Sequence, residues 1–338
     1  MCIVLLSTAH PDYPLVLIDN RDEFVARPTS RVEWWGPENS PDGPAYILSA
    51  RDLLRPEHGT WMGITRHGRF AVLTNYREED THDAEHPVVG TRSRGSMVKN
   101  WLQLPPESPE TVEAFIARLL SEDGGVGNVG GFSLICGQAR RAGKDSDASR
   151  IEPLALISNR AVDVSHTVWL GEHTDETHGL SNTAFDQPWP KVLRGKELLA
   201  DAINNSMSTH ESKDDFIRRL FAILDAESLP TRAAGESFEH YLDNLQHSIF
   251  IPPIGGRADY EEYMRSIMQP TPVTEHPPEV KVSEPDMLGV YGTQRQTVLL
   301  VDKHGHVTYV ERRLYDEKGR DVPRGRGDET VEFDIEGW

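Results

Sequence analysis

Cysteine is almost absent from this chain of 338 residues: there are two, Cys2 and Cys136, far apart in sequence. A large domain stapled by disulfides carries more, so a reducing compartment is expected. Long apolar runs are missing as well. No stretch of the roughly 18 apolar residues that a spanning helix needs is present. Basic residues are in deficit, with Lys plus Arg 35 against Asp plus Glu 54, a formal charge of −19. Such a surface repels phosphate backbones, which excludes nucleic acid and anionic membrane surfaces as partners. A small-molecule or lipid-like ligand, or a neutral or basic protein, fits better. The 14 histidines show no HExxH or other close metal spacing, so no metal site is expected. Neither cysteine precedes proline, so the Cys-Pro haem signal is lacking. The apolar start Met1–Leu6 has no basic residue before it and is cut short by His10, Pro11 and Asp12, so it fails as a secretory signal. The final residues match no lipidation or retention signal. A cytoplasmic location is expected.

What is present reads as alternating strands and helices. Apolar runs at 2–7 and 15–19 flank Pro11-Asp12-Tyr13-Pro14, a strand–turn–strand pattern. Residues 61–65 and 70–74 flank His67-Gly68-Arg69 as a second hairpin, and 297–301 and 307–310 flank His304-Gly305-His306 as a third. Residues 131–136 and 151–157 read as further strands. Ser108 and Pro109 are an N-cap and first-position pair for a helix over 110–121. Helical spacing recurs at 191–203 and 213–224. The run Gly124–Gly131 precedes a strand and lacks the Lys-Ser or Lys-Thr of a phosphate loop, so it reads as a connection. Strands, then helices, then strands predict an α+β fold with helices layered on mainly antiparallel sheet. The whole of 1–338 is expected to form a single domain, with flexible insertions at 138–150, 269–286 and 316–328, where charge, Pro and Gly dilute the apolar residues.

The chemistry is expected at the N-terminus. Removal of Met1 leaves Cys2 with a free α-amine of pKa near ~8, so one residue supplies nucleophile and base. The strand that follows holds the terminus rigid. The second strand ends in Asp19-Asn20-Arg21-Asp22-Glu23, which a hairpin brings beside Cys2. A carboxylate there orients the ammonium and an arginine lowers the thiol pKa; an ordinary solvated charge cluster is the bland alternative. Asn75 and Asn182 each follow an apolar strand and offer amide N–H donors for an oxyanion, although Asn is also a common turn residue. Cys136, inside an apolar strand, reads as core.

These pieces occur in a known order: Met1-Cys2-Ile3, Asn20-Arg21-Asp22-Glu23-Phe24, Arg27-Pro28, Gly59-Thr60-Trp61-Met62-Gly63-Ile64, Leu73-Thr74-Asn75-Tyr76, Ser93-Arg94-Gly95, Gly179-Leu180-Ser181-Asn182, Pro188-Trp189-Pro190-Lys191 and Tyr291-Gly292-Thr293. The chain thereby resembles, over nearly its whole length, the NRDE family, also called the transport and Golgi organisation protein 2 family. The resemblance implies a four-layer αββα sandwich of the N-terminal-nucleophile hydrolase type. It implies that Cys2 is the nucleophile, Asp22 the acid at its amine, and Asn75 and Asn182 the oxyanion residues, with cleavage of a non-peptide amide or a thioester. Asn20, Arg21, Glu23 and Arg94 are the candidate ligand-binding residues beside them. The related choloylglycine-type enzymes carry Arg-Asn-x-Asp. Aligned on Asn20 and Asp22, this chain has Asp19 at the Arg position and Arg21 at the variable one. The displacement is expected to send Arg21 to the opposite face of the strand, leaving Arg94 to serve the thiol. Gln294 stands where relatives often have Arg, with Arg295 one later. No cofactor is required by this reading. The family's links to haem mobilisation, acyl-CoA and lipid metabolism, protein secretion and Golgi or mitochondrial association give the alternative, a non-catalytic carrier of haem, acyl-CoA or a lipid-like ligand.

Overall fold

The computed structural model describes residues 2–37, 43–77, 92–121, 126, 129–142, 150–158, 163–173, 175–261 and 289–338. The expected insertion at 269–286 and most of that at 138–150 lie outside these residues.

The first half begins with β1 (Ile3–Ser7) and β2 (Leu15–Phe24), paired antiparallel with Ile3 opposite Asn20. Strand β2 is longer than its apolar run predicts. Its polar end, Asp19 to Glu23, stays in the ladder because β12 (Val290–Val301) pairs along its whole length from Leu15 to Phe24. Flanking strands β10 (Thr177–Leu180), β13 (His306–Arg313) and β14 (Asp328–Asp334) give the order β10-β1-β2-β12-β13-β14, with the short β11 (Ile254–Gly255) on β12. A second seven-stranded sheet runs in chain order: β3 (Glu33–Trp35), β4 (Ile47–Ser49), β5 (Met62–Thr65), β6 (Arg69–Asn75), β7 (Phe132–Gln138), β8 (Leu154–Ser158) and β9 (Val168–Leu170). Every pairing is antiparallel. The three expected hairpins and the 131–136 and 151–157 strands are all present.

Period-two alternation sets the layers. Val4, Leu6, Leu15 and Leu17 face Leu48, Ile64, Phe70 and Val72 across the two sheets. The other face of β1 and β2, Ile3, Leu5, Val16 and Ile18, packs on Val192, Leu199, Phe216 and Leu220 of helices α3 (Pro190–Thr209) and α4 (Lys213–Leu224). Helices α1 (Gly95–Leu102) and α2 (Val112–Ser121) cover the second sheet through Met97, Trp101, Phe115 and Ile116. The order is helix, sheet, sheet, helix. A further short helix, α5 (Phe238–Tyr241), packs near β11. No helix among the described residues is long and apolar enough to cross a membrane.

One expectation needs correction. Helix α2 starts at Val112 instead of 110, because Thr111, not Ser108, accepts the backbone N–H of Ala114 and so caps it; Ser108 accepts from Glu110 in the loop before it. The 316–328 segment holds a turn in which Asp316 accepts from the backbone of Lys318 and Arg320. A bridge from Tyr315 to Asp321 follows it.

Candidate functional site

The head of β1 is the meeting point. Cys2 is buried, 8% exposed, and its thiol points to the backbone carbonyl of Asp22 at 4.0 Å. The Cys2 carbonyl accepts from the Ser181 hydroxyl at 2.7 Å. Ser181 also donates to Asn182 Oδ1 at 3.2 Å, and Asn182 Nδ2 donates to the carbonyl of Asn75. Strand pairing makes this geometry: β10 runs beside β1 with Val4 opposite Leu180, so the residues just past β10 reach the head of β1. Asn75 ends β6 of the other sheet, and the Thr74 hydroxyl donates to the Ser181 carbonyl at 2.8 Å. Cys2, Asp22, Asn75 and Asn182 are thus brought together at one end of the sandwich. Asn75 meets Asn182 through its backbone oxygen.

Asp22 is anchored on several sides. Thr293 donates to its Oδ1 at 2.7 Å and the Tyr291 hydroxyl to its backbone carbonyl at 2.9 Å. Lys191 Nζ lies 3.8 Å from Oδ2, with both side chains wholly buried. Burial pushes the Asp22 carboxyl up; Lys191 and the Thr293 hydroxyl pull it back. Burial likewise pushes the Cys2 thiol up, to about 11, against the pull of the chain's amino terminus and Arg21.

Arg21 is not on the opposite face. Ile3 pairs with Asn20, so one step further Cys2 stands opposite Arg21, and directly opposed residues share a face. Positions 19 and 21 are two apart and share a face too, so Asp19 and Arg21 both act on the thiol. The error in the expectation is one of parity. Arg21 sits 4.4 Å over the Trp61 ring, donates to Gln294 Oε1 and lies 3.7 Å from Asp52. A register shift in β12 between Thr293 and Arg295 inserts Gln294, which is how Gln294 meets Arg21 while Arg295 turns to Glu311.

Asn20 lies elsewhere than the ligand-binding expectation placed it. Its amide donates to the carbonyls of Leu224 at 2.8 Å and Ile249 at 2.9 Å, on the helix side of the sheet. It ties the end of α4 down. Glu23 forms an ion pair with Arg27 at 3.5 Å; burial opposes its charge, but Arg27 and Arg21 hold it below the usual carboxylate range. Arg94, just before α1, donates to the Gly131 carbonyl at 3.0 Å, and its charge reaches both Glu23 and Cys2; burial lowers it to about 10. The sequence reading missed Lys191 as a neighbour of the site, although Pro188-Trp189-Pro190-Lys191 was among the pieces singled out. It also missed the Ser181 contact to Cys2. Buried lysine is rare unless paired, but nothing local in a sequence marks a lysine as buried.

Two antiparallel sheets between helical layers make an αββα sandwich, with a buried cysteine at the head of an inner strand and Asp22, Ser181 and Asn182 around it. A family model described as Transport and Golgi organisation 2 matches residues 1–316, and the chain belongs to that family. It is 29% identical over 322 residues to the Transport and Golgi organization protein 2 homolog of Bos taurus, covering 93% of each chain. It is 29% identical over 324 residues to the homolog of Homo sapiens, covering 94% of each. Among solved structures it is similar to the C2A mutant of conjugated bile acid hydrolase from Clostridium perfringens, with 10% identity, a TM-score of 0.37, and 99% and 92% of the two chains covered.

Proposed function

We propose that this protein cleaves an amide or thioester through Cys2. The observation that carries the reading is the convergence of Cys2, Asp22 and Asn182 at the head of β1, from three segments distant in sequence. Once Met1 is removed, the Cys2 α-amine takes the thiol proton and Sγ attacks the carbonyl carbon of the substrate. The carbonyl oxygen becomes an oxyanion, for which the Asn182 amide, turned from the Asn75 carbonyl it now meets, serves as donor in this scheme. Collapse breaks the C–N or C–S bond, and the proton passes to the departing amine or thiol. Water then releases the acid from the thioester on Cys2. Asp22 holds the ammonium form of the amine in this scheme.

A second reading, a carrier of haem, acyl-CoA or a lipid-like ligand, is supported by two observations. The thiol is held high, near 11, and guanidinium groups gather beside it, Arg21 and Arg27 at Asp52 and Arg94 near Glu23. A propionate or phosphate would find charge-assisted donors there. One experiment separates the readings. The mature protein is incubated with a panel of acyl amides and acyl thioesters and analysed by peptide mass spectrometry. Hydrolysis predicts an acyl adduct on the Cys2 peptide and loss of turnover in Cys2→Ser with binding retained. Tight binding with no adduct and no turnover from any substrate in the panel would replace the first reading with the second.

A further inference from the structure

Lys191 has no task in the scheme above. It lies in the first turn of α3, one residue after Pro190, with no exposure to solvent. That placement is unfavourable twice over. Burial strips an ammonium of its hydration, and the N-terminus of a helix is the positive end of its dipole. The first turn of α3 contains no acid to offset it. Among the described residues Nζ makes no hydrogen bond of ordinary length. The ring of Trp189 lies 5.5 Å away, and the facing carboxylate is Asp22 at 3.8 Å. Asp22 is the same residue whose backbone oxygen faces the Cys2 thiol. A cation in so costly a place, aimed at one residue of the site, needs a reason beyond packing.

We propose that Lys191 is a positioning residue of the Cys2 site: its ammonium keeps the Asp22 carboxylate charged and fixed at the head of β1, and balances that charge where the thiolate forms. The inference rests on Cys2 being the reactive group. The charged neighbours are few and named. Asp19, Arg21 and Asp22 act on the thiol from β2, together with the chain's amino terminus. Arg94 acts from beside α1 and Lys191 from α3. Asp22 itself is acted on by Lys191, the chain's amino terminus, the Thr293 hydroxyl and Arg21.

The signs follow from the charges. Without Lys191 the Asp22 carboxylate beside the thiol loses its facing ammonium and is less fully balanced, which disfavours the thiolate. Without the Asp22 charge the thiol faces an uncompensated ammonium, which favours the thiolate. The test is the pH profile of Cys2 alkylation by iodoacetamide, read by mass spectrometry of the Cys2 peptide. Lys191→Met moves the midpoint up by about one unit, roughly a tenfold loss of rate at fixed pH below it. Asp22→Asn moves it down, and the double variant returns toward the parent. A role in folding alone would move both single variants the same way or neither, and either result overturns the proposal. If Lys191→Met does not fold, the double variant still decides, because a buried ion pair made neutral is usually tolerated. A higher midpoint in the double variant than in Asp22→Asn supports the proposal, and equal midpoints sink it. Alkylation needs no acyl substrate, so failure of Cys2 to form an acyl-enzyme is a separate result and leaves this comparison intact.

Discussion

Three consecutive residues of β2 do three different things because a strand turns each to the other side of the last. Asn20 faces the helices, Arg21 faces the second sheet beside Cys2, and Asp22 returns toward α3. Asn20→Ala would leave two buried carbonyls, of Leu224 and Ile249, without their donor. At about 1–3 kcal/mol for each buried group left unpaired, it should destabilise by about 2–6 kcal/mol in urea unfolding. Alkylation of Cys2 should change little, which separates this anchor from the ligand-binding role its sequence position suggested. The two thiols give a pH prediction. Burial raises Cys2 to about 11 and Cys136 to about 12, from 9.0. A thiol whose folded pKa lies above its unfolded one stabilises fully below the unfolded value, and that contribution fades as pH rises toward the folded value. Stability should therefore fall above about pH 9. Cys136→Ala should flatten that fall, measured as the urea midpoint at mildly and strongly alkaline pH; an unchanged slope would show that the Cys136 site does not hold its proton.

At the scale of elements, the seating of α3 decides where Lys191 lies. Gly195 sits in the middle of that helix, where glycine costs about 1 kcal/mol relative to alanine. A Cβ there would come within 2.7 and 2.9 Å of the two methyls of Leu5. Gly179 on β10 meets the same side chain, its Cβ position 2.9 Å from Leu5 and 2.7 Å from Val192 of α3. Two glycines thus make room for Leu5, and α3 lies close against β1 and β10. Gly195→Val should cost about 1–3 kcal/mol by overpacking and should also slow Cys2 alkylation, by moving Lys191 from Asp22. Leu5→Ala in the same chain should restore part of both; a double variant no better than the single would mean that the helix dipole or propensity, not contact, sets the cost. The register shift in β12 is the other device at this scale. It delivers Gln294 to Arg21 and Arg295 to the buried Glu311. Arg295→Met leaves that carboxylate without its cation between the sheets, a loss of about 3–5 kcal/mol, which thermal unfolding would register.

For the whole molecule, charge is the dominant property. With a formal −19, repulsion among surface carboxylates opposes the compact state. The range of that repulsion shrinks from about 30 Å at 0.01 M salt to about 10 Å at 0.1 M. Raising NaCl across that range should raise the Tm by a few degrees. A lower Tm in salt would mean that surface ion pairs such as Arg219–Glu211 and Lys213–Glu332 outweigh the net charge.

The sequence by itself determined the layers and the family. Apolar runs bounded by turn residues mark β1, β5, β6 and β13 and helical spacing marks α3 and α4, since both are short-range patterns written in consecutive residues. Cys2, Asn20-Arg21-Asp22-Glu23, Asn75 and Asn182 stand out for the same reason. Only the tertiary structure decided the rest. Whether Arg21 faces the thiol depends on its register with β1, whether Asn20 binds a carbonyl or a ligand depends on where α4 ends, and where Gln294 points depends on one extra residue in β12. Lys191 and Asp22 meet across half of the chain, and Thr293 and Asp22 across most of it. Burial in such contacts is a property of the closed fold, and no local pattern encodes which lysine will lose its water.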